Sequence, residues 1–122
     1  ALRQNEGPGN ALLLTLGYAQ VTELCTAFGE KDVSAERVAR RCVAEAQRYL
    51  HSEGALGPHL ADQWMLPLAL AVHQTGTAAA YTCTELTEHA STNLQVLQCF
   101  LPIRATALAE GAHWRISLSS AC

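Results

Sequence analysis

Residues 58–72 read PHLADQWMLPLALAV, a run that is apolar on nearly every side of a helix. A run of this kind predicts a helix that is buried among other elements. Pro58 suits the first helical turn, where its missing N–H costs no hydrogen bond. Pro67 lies inside the run and predicts a kink, because its ring clashes with the preceding turn. We therefore expect a buried helix within a packed domain.

Downstream of this helix, strand and helix patterns alternate. Gly76 ends the helix, and residues 77–86 alternate as a strand does. The next helix has apolar residues at spacings of three and four and is closed by Pro102. Residues 103–109 and 113–118 then predict a hairpin.

Upstream of residue 58, the pattern is two strands and a helix. Leucines alternate along residues 11–19, and residues 21–28 predict a second strand that pairs with the first. Ser34 is a suitable N-cap for an amphipathic helix over residues 34–51. Residues 52–57 look like a short linker.

The linker suggests a domain boundary between residues 53 and 54. The predicted order is β-β-α over residues 1–53 and α-β-α-β-β over residues 54–122. This order predicts an α+β fold with two packing units.

Composition excludes several classes of protein. With 49% hydrophobic and 16% charged residues, the 122-residue chain is expected to be globular. Its net charge of −3 provides no overall positive field for nucleic acid, so a basic RNA-binding surface would be local or elsewhere. The longest apolar stretch, residues 64–72, is too short to span a bilayer, and no membrane partner is expected.

The five cysteines form no C-x-x-C pair, which argues against a zinc knuckle and a closed disulfide framework. A reducing, cytoplasmic location is therefore expected. Cys83 has no evident activating partner and is interpreted as a buried, inert thiol. The five histidines are scattered without metal-ligand spacing.

Two glycine-containing segments are poor candidates for phosphate loops. Gly7-Pro8-Gly9-Asn10 lacks the lysine of a P-loop, and Gly29-Glu30-Lys31 lacks a second glycine. We interpret the first as a turn and the second as a connector.

His89 is the first candidate for chemistry, because it lies where a predicted strand gives way to a helix. Thr87, Ser91 and Thr92 provide capping hydroxyls nearby, and backbone amides at such a junction attract phosphate. The positive end of the helix dipole disfavours imidazolium, and neutral imidazole has a lone pair for attack on phosphorus. An ordinary loop histidine is the competing interpretation.

Asp62 and Gln63 are the second candidate, in the first turns of the apolar helix. The carboxylate and the amide side chains could bind ribose hydroxyls or a metal. Equally, Asp62 could complement the helix dipole and Gln63 could cap backbone groups.

Several ordered motifs resemble those of the RNA 3′-terminal phosphate cyclase family, over nearly the whole chain. The matching stretches are Gly7-Pro8-Gly9-Asn10, Phe28-Gly29-Glu30-Lys31, Val33-Ser34-Ala35-Glu36, Leu60-Ala61-Asp62-Gln63, Leu66-Pro67-Leu68-Ala69-Leu70, His89, Thr92-Asn93 and Phe100-Leu101-Pro102. The resemblance implies an ATP-dependent enzyme of the ligase type in which His89 attacks the α-phosphorus of ATP and becomes a covalent histidine–AMP adduct. AMP then passes to an RNA 3′-phosphate, which is converted to a 2′,3′-cyclic phosphate, with Mg²⁺ offsetting phosphate charge.

The resemblance also implies roles for three neighbours of the histidine and partners for the chain. Asp62 and Gln63 match positions near the nucleotide, and His59 matches a position, often tyrosine, whose ring packs on adenine. RNA 3′-phosphate ends would be the substrate. The family's acidic and arginine-bearing amino-terminal segments are absent here, so the missing amino-terminal part of the same protein is an expected partner and the chain alone is expected to be inactive.

The family fold is a large domain of repeated β-α-β-α-β-β units with a small inserted α+β domain. The resemblance implies that residues 1–53 form the carboxyl-terminal half of the inserted domain and residues 54–122 the last unit of the large one. A non-catalytic cyclase-like factor of ribosome assembly is the main alternative, and an unrelated α+β interaction domain is the other. Relatives of the non-catalytic kind lack the histidine, so His89 favours the enzyme.

Overall fold

Three helices and two antiparallel sheets make up residues 9–121, the part of the chain that this computed structural model describes. The predicted α+β class is confirmed. The chain divides into two compact units between Leu50 and His51, three residues before the boundary that the sequence suggested. Gly7 and Pro8, interpreted above as part of a turn, lie outside the described residues. Among the described helices, none combines the length and apolarity needed to cross a bilayer.

The first unit is a two-stranded sheet with one helix. β1 is Ala11–Gly17, β2 is Thr22–Phe28 and α1 is Ala35–Leu50, and the two strands pair antiparallel. The helix begins after Ser34, whose side chain accepts a hydrogen bond from the N–H of Arg37. Its buried residues recur at helical spacing and face the sheet: Val38, Cys42, Ala46 and Tyr49.

The second unit is a three-stranded sheet with two helices on one face. Its elements are α2 (Pro58–Thr75), β3 (Ala79–Cys83), α3 (Glu88–Phe100), β4 (Ile103–Glu110) and β5 (His113–Ser120). The strand order is β3-β5-β4, with every pair antiparallel. Both helices pack against the sheet and against each other, and the largest fully buried side chains of this unit are Met65, Ile116, Leu118, Val72 and Cys83.

The prediction that α2 is buried on nearly all sides is wrong for this unit. One face, with Ala61, Met65, Ala69 and Val72, is buried against the sheet and α3. The rest of the helix surface keeps large apolar side chains partly in the open, with Trp64 41%, Leu66 49% and Leu70 41% exposed. A single sheet and one neighbouring helix can cover only one side of a cylinder, so apolar composition overestimated the burial.

The segment before α2 is not a free linker. Leu56 forms a parallel bridge with Cys83, in which the N–H of Leu56 donates to Thr82 O at 3.1 Å and the N–H of Thr84 donates to Leu56 O at 2.9 Å. This isolated bridge places the segment before α2 alongside β3. The bridged segments at Leu56 and Cys83 are parallel, and each leads into a helix. The amino-terminal ends of α2 and α3 therefore lie side by side.

Gly54 is required by this close pairing. A Cβ at this position would overlap the backbone of Cys83 and Thr84, which cannot move aside without breaking the bridge. We expect Gly54→Ala to destabilise the second unit by about 3 kcal/mol, since overpacking against backbone is costly. Urea unfolding followed by tryptophan fluorescence measures this unit alone, because both tryptophans, Trp64 and Trp114, belong to it.

Gln95→Ala, at an exposed position of α3 in the same unit, is the control for that measurement, because the tryptophans report on this unit. It is expected to leave the fluorescence transition unchanged. An equal effect of the two substitutions would show that the pairing at Gly54 is not tight.

Candidate functional site

His89 is the second residue of α3 and projects outward, with 78% of its side chain exposed. The helix begins at Glu88 after the N-cap Thr87, whose hydroxyl oxygen accepts from the N–H of Ala90 at 3.1 Å. The carbonyl oxygen of Thr87 accepts from the N–H of Ser91 at 2.9 Å, which closes the first turn. His89 therefore lies at a strand-to-helix junction on a rigid, capped turn.

Asp62 is the direct partner of His89. Its Oδ2 lies 3.1 Å from Nδ1 of the imidazole, and its Oδ1 accepts from Nδ2 of Asn93 at 3.1 Å. Only 22% of the Asp62 side chain is exposed. Asn93 follows His89 by four residues, the spacing that places two side chains on the same face of a helix. Both carboxylate oxygens are thus held by side chains from α3.

The contacts determine which atoms carry protons. A carboxylate has only acceptor oxygens, so the imidazole must present its proton at Nδ1 and Asn93 must present its NH₂. In a neutral imidazole this arrangement leaves the lone pair on Nε2, the atom that points away from Asp62. The arrangement supports nucleophilic attack or proton abstraction at Nε2.

A buried tyrosine fixes the start of α2, which carries Asp62. The hydroxyl of Tyr81, on β3, donates to the carbonyl oxygen of Ala61 at 2.7 Å. Burial raises the pKa of the Tyr81 phenol far above its usual range, so the hydroxyl remains a donor. This bond anchors the residue next to Asp62 to the sheet.

The segment that carries His89, residues 51–103, is acidic. Glu85 and Glu88 flank the junction and Asp62 contacts the ring, whereas residues 51–103 contain no lysine or arginine. First-turn amides of α3 favour an anion, but they offer only partial positive charge. A polyphosphate at this site would therefore need cationic groups from outside this segment.

The other predicted site residues have different surroundings. His59 and Gln63 are exposed and lie on α2, three residues before and one residue after Asp62. Of His59, Asp62 and Gln63, it is Asp62 whose side chain contacts the ring of His89. Cys83 is buried and burial raises the pKa of its thiol, in agreement with an inert interior cysteine. Within residues 9–121, no group of three or more metal-ligating side chains is found.

The sequence patterns did not predict two features of the site. Asn93 was noted only as part of a motif, although its spacing of four from His89 was a signal that it shares that face. The pairing of Leu56 with Cys83 carries no side-chain pattern that distinguishes it from a linker.

The chain is similar to a known protein family. A family model described as RNA 3′-terminal phosphate cyclase matches residues 6–107, a range that includes His59, Asp62, Gln63, His89 and Asn93. Several bacteria have proteins named RNA 3′-terminal phosphate cyclase that are similar to this chain. The relative from Salmonella enteritidis is 45% identical over 119 residues, which is 98% of this chain and 34% of that protein. The relative from Ralstonia nicotianae is 46% identical over 86% of this chain and 29% of its own length.

A third relative, from Ectopseudomonas mendocina, is 44% identical over 80% of this chain and 27% of its own length. The chain thus spans about a third of the length of the relatives that it matches.

Proposed function

The chain belongs to the RNA 3′-terminal phosphate cyclase family, and from this premise we propose that it supplies the nucleotide-accepting histidine, His89, of a longer ATP-dependent cyclase. The observation that carries the proposal is the contact of Asp62 Oδ2 with Nδ1 of His89 at 3.1 Å. It leaves Nε2 of a well-exposed ring as the nucleophilic atom. Of the two enzymatic roles open to such a histidine, family membership favours phosphorus chemistry.

In the proposed first step, Nε2 of His89 attacks the α-phosphorus of ATP and the bond to the β-phosphate oxygen breaks. Pyrophosphate leaves, and AMP is joined to the ring through a phosphoramidate. Asp62 accepts the Nδ1 hydrogen bond throughout, so it stabilises the positive charge that develops on the ring as Nε2 forms its bond. The main contribution of Asp62 is to keep the ring proton on Nδ1, and this electrostatic support is its second contribution.

In the later steps, an oxygen of the RNA 3′-phosphate attacks the AMP phosphorus and displaces His89. The adjacent 2′-hydroxyl then attacks the 3′-phosphorus, its proton is lost, and AMP leaves with the bridging oxygen. The product is a 2′,3′-cyclic phosphate. The route consists of three displacements that each have a good leaving group, namely pyrophosphate, His89 and AMP.

Nucleotide binding is proposed for the neighbours of Asp62 on α2. His59 provides a flat exposed ring that is suited to stacking on adenine, and Gln63 provides an amide for ribose hydroxyls. Their spacing places them on the side of α2 that carries Asp62.

The rest of the protein is proposed to supply the positive charge. Residues 51–103 carry four acidic residues, Glu53, Asp62, Glu85 and Glu88, and no lysine or arginine.

Mg²⁺ would offset phosphate charge when bound, but both oxygens of Asp62 already have partners and no three-ligand group occurs in the described residues. We therefore assign no metal ligand to this chain. Other segments of a longer protein would bind the metal and the RNA end, with residues 1–53 belonging to an inserted domain.

The proposal is tested with the full-length protein and ATP labelled at either the α- or the γ-phosphate. Label from the α-phosphate is expected to stay on the denatured protein through an acid-labile, alkali-stable bond, whereas γ-label is expected in released pyrophosphate. Mass spectrometry should place the AMP on the peptide that contains His89. Retention of γ-label, or AMP on a different residue, would contradict the mechanism.

A further inference from the structure

Asn93 makes the second contact of the Asp62 carboxylate. Its Nδ2 donates to Oδ1 at 3.1 Å, while the opposite oxygen faces Nδ1 of His89, also at 3.1 Å. The three side chains thus form one hydrogen-bonded chain, from Asn93 through Asp62 to His89. Asp62 and Asn93 are both partly buried, so this bond is better protected from water than one on the open surface.

We propose that Asn93 is a positioning residue that fixes the orientation of Asp62 and thereby selects the tautomer of His89. For its effect on rate, this inference rests on the function proposed above. For its effect on the tautomer, it rests on the geometry alone.

The physical reason is which hydrogen-bond donors and acceptors Asn93, Asp62 and His89 can present to one another. An amide presents either an NH₂ donor or a carbonyl acceptor, and only the NH₂ suits a carboxylate oxygen. With Oδ1 held by Asn93, rotation of the carboxylate is restrained and Oδ2 stays directed at Nδ1. Without Asn93 the carboxylate can rotate towards water, and the ring then samples both neutral tautomers. In one of them, the proton occupies Nε2, the proposed nucleophile.

Exchanging the side chains of residues 62 and 93, in the double variant Asp62→Asn with Asn93→Asp, tests this arrangement of donors and acceptors. In Asp62→Asn alone, with Asn93 still directing its NH₂ at residue 62, the new amide turns its oxygen to Asn93 and its NH₂ to His89, which places the ring proton on Nε2. In Asn93→Asp alone, two carboxylates face each other, which is unfavourable. In the double variant, residue 62 donates its NH₂ to Asp at residue 93 and turns its carbonyl oxygen to Nδ1, which restores the original tautomer without changing the total charge.

We expect Asn93→Ala to lower the single-turnover rate of AMP transfer to His89 about tenfold, with little change in the KM for ATP, as for other groups that orient a catalytic side chain. Asn93→Asp and Asp62→Asn are each expected to lose about a hundredfold or more. The double variant should recover to within about tenfold of the wild type. Gln95→Ala, an exposed amide two residues along the same helix, is the matched control and should behave as the wild type.

The second measurement is NMR of the full-length protein with nitrogen-labelled histidine, which reports the tautomer of His89 without any turnover. The wild type and the double variant are expected to show the proton on Nδ1, and Asp62→Asn to show it on Nε2. A tautomer in Asn93→Ala identical to that of the wild type, or a double variant no better than the worse single one, would overturn the role of Asn93. If the wild type has the Nδ1 tautomer but takes up no AMP, the proposed function fails while the positioning role stands.

Discussion

Replacing His89 by alanine is expected to abolish covalent transfer of AMP to the full-length protein, together with formation of 2′,3′-cyclic phosphate ends. The change removes the only protein atom proposed to attack phosphorus. Neither Asp62 nor Asn93 can replace it, because the Asp62 carboxylate is still held by Asn93 and an amide nitrogen is not nucleophilic. Loss of a covalent nucleophile commonly lowers turnover by about 10⁴-fold or more. The measurement is α-labelled AMP retained on denatured protein.

The control for this experiment is His73→Ala, an exposed histidine in the last turn of α2. It should keep full labelling. His89→Ala itself is expected to change the free energy of unfolding by less than about 0.5 kcal/mol, because the side chain is 78% exposed. Persistent labelling in a folded His89→Ala variant would contradict the proposed function.

Replacing Asp62 by asparagine is expected to lower the rate of AMP transfer by about 10² to 10³-fold, although the two side chains have almost the same shape. The loss arises from the tautomer: with the NH₂ of Asn93 on the new amide oxygen, the NH₂ of that amide donates to Nδ1 and places the ring proton on Nε2. In a well-buried aspartate–histidine pair this substitution costs about 10⁴-fold. A smaller effect is expected here because the His89 ring is open to water, which competes for Nδ1.

Asp62→Ala provides the comparison that isolates this cause. Alanine removes the anchor but imposes no tautomer, so we expect a loss of only about 10 to 100-fold. The ranking of the two variants, with asparagine slower than alanine, is therefore the diagnostic result. If alanine were as slow as asparagine, the carboxylate would act mainly through its charge or through contact with the nucleotide.

The reading of the sequence predicted the secondary structure well because most elements have a local signature. The buried stripe of α1 follows from the spacing of Val38, Cys42 and Ala46, and the end of α2 follows from Gly76, whose φ of 70° suits a residue without a side chain. The junction at His89 was predicted for the same reason, since Thr87 is a strong N-cap.

Apolar composition was a weaker guide to burial. It could not distinguish the side chains of α2 that are buried against the sheet from Trp64, Leu66 and Leu70, which are partly in the open. A uniformly apolar run has no periodicity to orient it, and only the positions of its neighbours decide which side is covered.

The sequence by itself determined that a capped helix begins beside His89 and that a carboxylate occupies the first turns of α2, because capping and periodicity act over a few residues. Only the tertiary structure decided that Asp62 meets His89 across 27 positions of chain and that Asn93 holds the other oxygen. That meeting depends on the parallel pairing of Leu56 with Cys83, which is made by backbone hydrogen bonds. Every residue type except proline has the same backbone groups, so the pairing shows in the sequence only as Gly54, and a glycine is equally typical of a linker.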